Sequence, residues 1–571
     1  MTTTSLFLPH WMRSYRPGFI AGDVMAGFIT ATVLVPQAMA YALLAGLPPV
    51  TGLYASIVPV FLYALLGSSN YMAMGPVALV SLMVADVGAR YAQPGTPAFH
   101  SVALGLALLS GLILVGFALL RFGALVNFLS HSVITGLINA AAVIIAVSQL
   151  PYLLGLDVAR MDLTGTLHQV LASLAQTSPA TAAISGVATV VLLMAGRPLE
   201  KAMLALGCNA TAATLASRSG PLLVVVAGAL AVYLSPLHDD SGVAIVGTIP
   251  AGLPPLSLPG YQPGEWYRLL PGSLLIALVS YLGSISVARS LASRRRERVN
   301  ANQELFAIGA ANVAAAFCSG FPVGGGFGRS GVNFSAGANT PLASIITAAL
   351  ILLTLLVLSP LFYYLPKAVL AVIVFVSVLG LVDIRSVLKA WAYNKADALS
   401  SLLTFVAVLE LGVEQGVMTG VVISVALYLW RTGHPHMAVV GRVGTTEHFR
   451  NVQRHQVRTC PHVLAIRIDE SLYFANAHAL EERVLALISG HREIHHVLLI
   501  CSAINYIDYN ALDTLEATLE KLRNAGVTLH LAEVKGPVMD KLKDTEFMQH
   551  LLAAGKVYLS THEAMVDLEC V

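Results

Sequence analysis

Long apolar runs separated by short polar or Gly/Pro-containing joints occupy the chain from about residue 19 to 431. A bilayer crossing takes roughly 20 mainly apolar residues in a helix, and the runs define fourteen candidate spans. The first seven lie near 19–44, 50–67, 75–87, 100–120, 128–150, 180–196 and 220–235. The second seven lie near 269–291, 303–318, 326–335, 342–359, 366–382, 398–412 and 415–431. Two segments, GPVALVSLMV at 75–84 and GGFGRSGVNF at 325–334, are too short to cross as plain helices. Each follows a Gly/Pro break, and each is third in its set of seven. An odd number of spans per half inverts the second half (269–431) relative to the first (19–235). Interrupted segments at matching places of two inverted halves point to a binding site at mid-membrane.

Beyond Trp430 the period changes. Residues 437–571 alternate between short β-type runs (Val463–Ile468, His496–Cys501, Val527–Leu531) and helical ones (Ala479–Ser489, Tyr509–Asn524, Met539–Ala554). This alternation predicts a small α/β domain.

Composition fits this division. Of 571 residues, 56% are hydrophobic and 11% charged, against about 25% charged in soluble domains. The net charge of +2 gives no basis for a nucleic-acid partner. Residues 1–18 lack a short apolar core with a cleavage site, so the first run is read as a retained span. Basic residues fall after even-numbered spans: Arg121, Arg197 and Lys201, Arg294–Arg296 and Arg298, Arg385, Lys389 and Lys395, and Arg431. By the positive-inside rule both termini are then cytoplasmic and the protein is integral to the plasma (bacterial inner) membrane. The five cysteines are scattered without a CxxC pair, so neither a zinc site nor a disulfide framework is expected, and no cofactor is implied.

Three features carry candidate chemistry. In the first span Pro36 frees a backbone carbonyl, and Gln37 and Tyr41, one turn apart, share a face. A kinked packing helix would use the same residues, but intramembrane polar groups are costly enough to suggest a site. The two short segments would present helix N-termini, whose free N–H groups and partial positive charge suit an anion. Arg329 follows the second of them. A central arginine costs about 2.5–3.5 kcal/mol on insertion scales, and the acids Asp23, Asp86, Asp383 and Asp397 fall near span ends. His491, His495 and His496 resemble a ligand cluster, but a zinc site needs four placed ligands, and surface histidines are the expected outcome.

Several of these stretches resemble the SulP anion permeases, the sulfate permease and solute carrier 26 family. They are Asp23-x-x-Ala26-Gly27, Pro36-Gln37-Ala38-Met39-Ala40-Tyr41, Ala45-Gly46-Leu47-Pro48-Pro49, Gly52-Leu53-Tyr54, Gly75-Pro76-Val77-Ala78, Asn302-Gln303-Glu304-Leu305, and Phe321-Pro322-Val323 with Phe327-x-Arg329-Ser330 and Asn333. Residues 437–571 are similar to a STAS domain, with Asn505-Tyr506-Ile507-Asp508-Tyr509-Asn510-Ala511-Leu512 in its loop. The resemblance implies a fourteen-span α-helical polytopic fold with core and gate subdomains, elevator-like movement, and a homodimer. It also implies a small anion substrate (sulfate, bicarbonate, chloride or a dicarboxylate) and leaves room for a cytoplasmic partner of the STAS domain. Carried over, Gln37, Tyr41, Val77, Ala78, Gly326, Phe327, Gly328 and Arg329 line the anion site. Many prokaryotic relatives have a glutamate where this chain has Gly283, which argues against proton coupling. Soluble relatives of the STAS domain carry a phosphorylated Ser or Thr where this chain has Asn510. Two other readings stand beside transport of an anion: a nucleobase or ascorbate carrier on the same fold, and a membrane sensor signalling through the STAS-like domain. The spans contain no nucleophile–base pair, which argues against an enzyme.

Overall fold

In hydrocarbon every backbone N–H and C=O must find a partner within the protein, and each of the fourteen apolar stretches accordingly contains helix. The computed structural model describes residues 10–123, 131–158, 163–209, 213, 216–235, 237, 238, 241–257, 260 and 266–571. The first nine residues of the N-terminal segment and the start of the fifth stretch, 128–130, lie outside them. The chain divides into two units, Met1–Val422 and Ile423–Val571.

The first half of unit one comprises α1 (Ile20–Ala45), α2 (Pro49–Tyr54), α3 (Val58–Leu66), β1 (Met74–Gly75), α4 (Ala78–Ala89), α5 (Pro97–Leu119), α6 (His131–Leu154), α7 (Pro179–Ala195) and α8 (Gly220–Leu234). The second half comprises α9 (Trp266–Arg294), α10 (Ala301–Phe317), β2 (Gly324–Gly325), α11 (Phe327–Ser335), α12 (Leu342–Leu353), α13 (Lys367–Leu379), α14 (Ile384–Tyr393), α15 (Lys395–Leu411) and α16 (Val413–Gly433), the last running across the unit boundary. Among the described residues, eight helices are long and apolar enough to cross a membrane, or nine if one bent pair counts as a single span. The α4 and α8 helices are apolar but shorter. The α14 helix, which the apolar pattern does not announce, buries none of its residues and exposes Ile384, Leu388 and Trp391.

The two halves interlock. The α1 helix packs on α12, α5 on α10 and α6 on α15. The α5–α10 crossing is close because glycines face each other there. A Cβ on Gly111 would stand 2.7 Å from the Gly309 carbonyl, and one on Gly309 would stand 2.8 Å from the Gly111 carbonyl. Small residues allow such contact where no hydrophobic drive between helices exists. Asp23, fully buried on α1, has a different task from substrate binding. Its Oδ1 accepts from the amides of Asn339 (2.7 Å) and Thr340 (3.0 Å), and its Oδ2 from the Thr340 hydroxyl (2.7 Å), which locks α1 to the turn before α12.

Unit two is built on a six-stranded sheet in the order β4-β3-β5-β6-β7-β8. Its strands are β3 (Met437–Arg442), β4 (Phe449–Asn451), β5 (Val463–Ile468), β6 (His496–Ile500), β7 (Thr528–Ala532) and β8 (Val557–Tyr558). Strands β5 to β8 are parallel, and β3 is antiparallel to both β4 and β5. The helices are α17 (Ala477–Ser489), α18 (Tyr509–Asn524), α19 (Gly536–Leu542), α20 (Glu546–Ala553) and α21 (Thr561–Asp567). Alternation along β5 sends Leu464, Ile466 and Ile468 to the core under α17–α20, and Val463 and Ala465 to the opposite face, where Met565 of α21 packs. Asp508 caps α18, accepting from the Ala511 amide at 2.8 Å. The expectation of no disulfide is corrected here: Cys460 and Cys570, 110 residues apart, are joined. Short-spacing motifs carry no information about such a pair. His491, His495 and His496 do not converge: His491 Nδ1 turns to the Leu487 carbonyl, and His496 Nδ1 meets His530 Nε2 at 3.1 Å.

Two outcomes follow from the packing. Gly111→Val should lower the thermal midpoint, by overpacking worth about 1–3 kcal/mol. Gly116→Val on the same helix, where a Cβ meets nothing within 4 Å, should not. Equal midpoints in detergent would disprove the close crossing. In unit two, burial pushes the His530 imidazole down to about 4, with His496 and Lys556 adding to the shift. The unfolded chain therefore binds a proton below 6.5 that the folded one refuses. This contribution is intact above pH 6.5 and is lost as pH falls toward 4, by at most about 3 kcal/mol. Wild type should lose more stability than His530→Phe over that interval; parallel midpoint-against-pH curves would contradict it.

Candidate anion site

The site is assembled where two helices start in the middle of the first unit. Gly75 has φ +145°, a conformation that side-chain-bearing residues rarely adopt, and Pro76 after it cannot donate a hydrogen bond. The chain breaks there and again before Gly326. The two breaks pair as a minimal antiparallel ribbon, Met74 with Gly325 and Gly75 with Gly324. The α4 and α11 helices leave this ribbon. Their N-caps, Val77 and Gly326, are extended, and neither helix start has a side-chain cap. The first-turn amides of Ala78 and Leu79, and of Phe327 and Gly328, are therefore open donors, as helix geometry requires.

Arg329 holds the ribbon together. Only 2% exposed, it donates from Nε to the Ala73 carbonyl (3.1 Å), from Nη1 to that of Pro76 (2.5 Å) and from Nη2 to that of Gly324 (3.0 Å). The fork thus spans both breaks. No carboxylate pairs with it among the described residues, so its charge is not cancelled. A second set of polar groups supports the ribbon from behind. The Ser330 hydroxyl accepts from the Ala73 amide (2.9 Å) and the Ser284 hydroxyl from the Gly325 amide (2.7 Å). Ser280 donates to the Val323 carbonyl (2.7 Å), and Asn312 bonds both the amide and the carbonyl of Val323 (2.9 and 3.1 Å). Asn333 donates to the Tyr71 carbonyl (3.0 Å).

The α1 helix packs against both α4 and α11 and brings the remaining candidates. Tyr41 is buried, with the Ser377 side chain of α13 at its hydroxyl and the Arg329 charge near enough to act on it. Gln37 is half-buried, and its amide has no hydrogen-bond partner among the described residues. Phe327 is 59% exposed and Gly328 is exposed, whereas Ala78 is buried. Gly283 sits beside Ser284 on α9 but faces open space: a Cβ there meets no atom within 4 Å. Sequence reasoning gave no role to the serines and asparagines behind the ribbon, or to Glu304. Buried on α10, Glu304 accepts from the Tyr63 hydroxyl (2.8 Å), the amide and hydroxyl of Ser68 (2.8 Å each) and the Ser69 amide (3.0 Å). It fixes the strand of chain that leads into β1. A carboxylate near the start of an apolar run was the available signal.

Comparison with known proteins bears on the family and the fold. Residues 20–404 match the sulfate permease family model, and residues 454–564 match the STAS domain model. The probable sulfate transporter 4.2 of Arabidopsis thaliana is 34% identical over 568 residues, covering 97% of this chain and 82% of that protein. The probable sulfate transporter MT1781 of Mycobacterium tuberculosis (strain CDC 1551 / Oshkosh) is 32% identical over 541 residues, covering 94% of each. The fold matches that of the murine solute carrier 26 family member A9 anion transporter in the inward-facing state, with a TM-score of 0.90 at 23% identity over 100% of this chain and 96% of that one. The transmembrane domain of the cyanobacterial bicarbonate transporter BicA aligns over 72% of this chain and 98% of its own, with a TM-score of 0.60 at 22% identity.

Arg329→Met removes both a charge and three donors. Each buried carbonyl left without a partner costs about 1–3 kcal/mol, so the variant should melt earlier as well as bind anions less tightly. Arg329→Lys keeps the charge but lacks the planar fork. It should share the stability loss while retaining more binding than Arg329→Met. Wild-type midpoint and wild-type uptake in the Met variant would remove Arg329 from both roles.

Proposed function

The chain belongs to the sulfate permease family, and from that premise we propose that it is a secondary transporter of a small anion, with sulfate the first to test. The single observation that carries this reading is the pair of uncapped helix starts held on one ribbon by an arginine that has no acidic partner among the described residues. Open amides and a net positive charge favour a partly dehydrated anion over a cation or a neutral solute. Gln37, Tyr41, Val77, Ala78, Gly326, Phe327, Gly328 and Arg329 form the site in this reading, the backbone amides and the Gln37 side chain making the contacts. The relatives named as sulfate transporters support the choice of anion.

The same proposal includes fourteen spans in two inverted repeats, both termini in the cytoplasm, a homodimer, and elevator-like movement of the ribbon-bearing core. The ribbon supports that movement, since α4 and α11 start from one hydrogen-bonded unit and would travel together. The STAS domain modulates transport without choosing the substrate. Transport proceeds by exchange or uncoupled movement, because Gly283 supplies no titratable group.

The test is uptake of radiolabelled sulfate by proteoliposomes holding the purified full-length chain, with bicarbonate, chloride, nitrate, a dicarboxylate and uracil as competitors. Saturable sulfate uptake, insensitive to an inward proton gradient, is expected. Absence of flux for every anion would overturn the transport reading, and competition by uracil alone would favour a nucleobase carrier. At Gly283 a Cβ meets nothing within 4 Å, and Gly283→Glu should acquire stimulation by the proton gradient. Uptake by wild type that acidifies the lumen and vanishes with a protonophore would disprove the uncoupled mode.

A further inference from the structure

The second unit contains a side-chain cluster that transport leaves unused. Cys460 and His462 lie just before β5, and Cys570 follows α21. Their three ligand atoms lie within 4.8 Å of one another. His462 Nε2 stands 3.5 Å from Cys460 Sγ and 3.4 Å from Cys570 Sγ. The backbone holds these positions: the amides of His495 and His496 donate to the His462 carbonyl at 2.9 and 3.0 Å, and the Cys570 amide donates to the Met565 carbonyl at 2.9 Å.

We propose that, once the Cys460–Cys570 bond is reduced, Cys460, Cys570 and His462 bind a zinc ion. The warrant is geometric. Zinc binds thiolate sulfur at about 2.3 Å and imidazole nitrogen at about 2.0–2.1 Å in a tetrahedral arrangement, which sets sulfur–nitrogen separations near 3.5 Å and sulfur–sulfur separations near 3.8 Å. Both sulfur–nitrogen spacings are already present. Only the sulfurs must separate, and the Cα atoms they hang from are 5.6 Å apart. Two thiolates and an imidazole are a donor set that favours zinc over magnesium or calcium. The Leu568 carbonyl, 3.1 Å from the same Nε2, is the nearest further oxygen and together with water can complete four-coordination.

The chemistry balances as two alternative ties. A dithiol reductant gives two electrons and two protons to the Cys460–Cys570 bond and leaves as its own cyclic disulfide. The two thiols then lose their protons as zinc binds. Disulfide and metal therefore exclude each other, and each fastens the last residues of the chain to the sheet beside β5. A compartment that keeps thiols reduced favours the metal form, which is the form expected if the domain is cytoplasmic. The other cysteines do not compete: Cys318 lies in unit one, Cys208 is exposed there, and Cys501 is buried, its thiol pushed by burial up to about 12.

The experiment uses the full-length chain in detergent, reduced with a dithiol, freed of it without air, and titrated with Co2+ as the probe. A sulfur-to-cobalt charge-transfer absorption in the near ultraviolet should rise to saturation at one ion per chain and disappear on adding zinc. It should be lost in Cys460→Ser, in Cys570→Ser and in His462→Gln, and kept when Cys208, Cys318 and Cys501 are replaced together. Because the serine variants could fold poorly, the wild-type chain serves as its own control: oxidation by diamide should abolish the absorption and fresh dithiol should restore it. No absorption from reduced wild type, or absorption that survives in the Cys460→Ser/Cys570→Ser double variant, would overturn the proposal. Neither result depends on whether the chain transports an anion.

Discussion

A broken helix inside a membrane leaves amides and carbonyls that lipid cannot satisfy, and the answer found in this chain governs the rest of its membrane unit. The two breaks satisfy each other. Met74 and Gly75 pair with Gly325 and Gly324, and the Arg329 fork takes up the carbonyls of Ala73, Pro76 and Gly324. What remains unpaired is the set of first-turn amides of α4 and α11. Carbonyl debts are thus settled internally while donors stay open, and the imbalance makes the place electropositive. The packing of the halves serves this crossing. The Gly111–Gly309 contact draws α10 close to α5, and α10 carries Asn312 and Glu304, which hold the chain on either side of the ribbon.

Much of this was legible in the sequence. The short segments at 75–84 and 325–334 stood out because they were too brief for a bilayer and began at Gly/Pro breaks, and both become short helices with open starts. Arg329 stood out because a cation in an apolar context is expensive. Its partners are not legible: a backbone carbonyl has no signature in sequence, whereas an acid would have one. The supporting residues Ser280, Ser284 and Asn312 carry no signal of their own, and Ser330 enters only as part of a motif, since single small polar residues in apolar runs usually bond their own helix. Asp23 was correctly read as lying near a span end, but its use as a clamp on the turn at Asn339–Thr340 depends on a contact across more than 300 residues.

The second unit shows the same division between local and distant information. Strands β5 to β7 and helices α17 to α20 follow from alternation and helical period, within a few residues, whereas α21 does not. The edge strands β4 and β8 are not announced because they are only three and two residues long, and β3 is not announced because it joins the sheet through antiparallel pairing with β4 and β5, which its own sequence does not disclose. Cys460, His462 and Cys570 were missed for a topological reason. Chain-end residues meet the start of β5 only after the whole sheet has formed, so a rule based on short cysteine spacing has nothing to detect. The Asp508 cap was legible as part of a loop motif, and its physical reason is the α18 amide it satisfies.

The clamp also bears on how an anion would be recognised. Three of the five guanidinium N–H groups are committed to carbonyls, so Arg329 acts on a ligand mainly through its field, with the directional contacts left to backbone amides. A field and a few amides distinguish charge and size well but distinguish poorly among oxyanions of similar radius. Discrimination must then come from side chains that reach into the space between α1 and the two helix starts. Gln37 is suited to that task, because its amide has no partner among the described residues and can both donate and accept. In the proposed site Tyr41, which is buried with the Ser377 side chain at its hydroxyl, would line that space. Family members with the same ribbon could therefore carry different anions through changes at one or two such positions, without altering the crossing that makes the place positive.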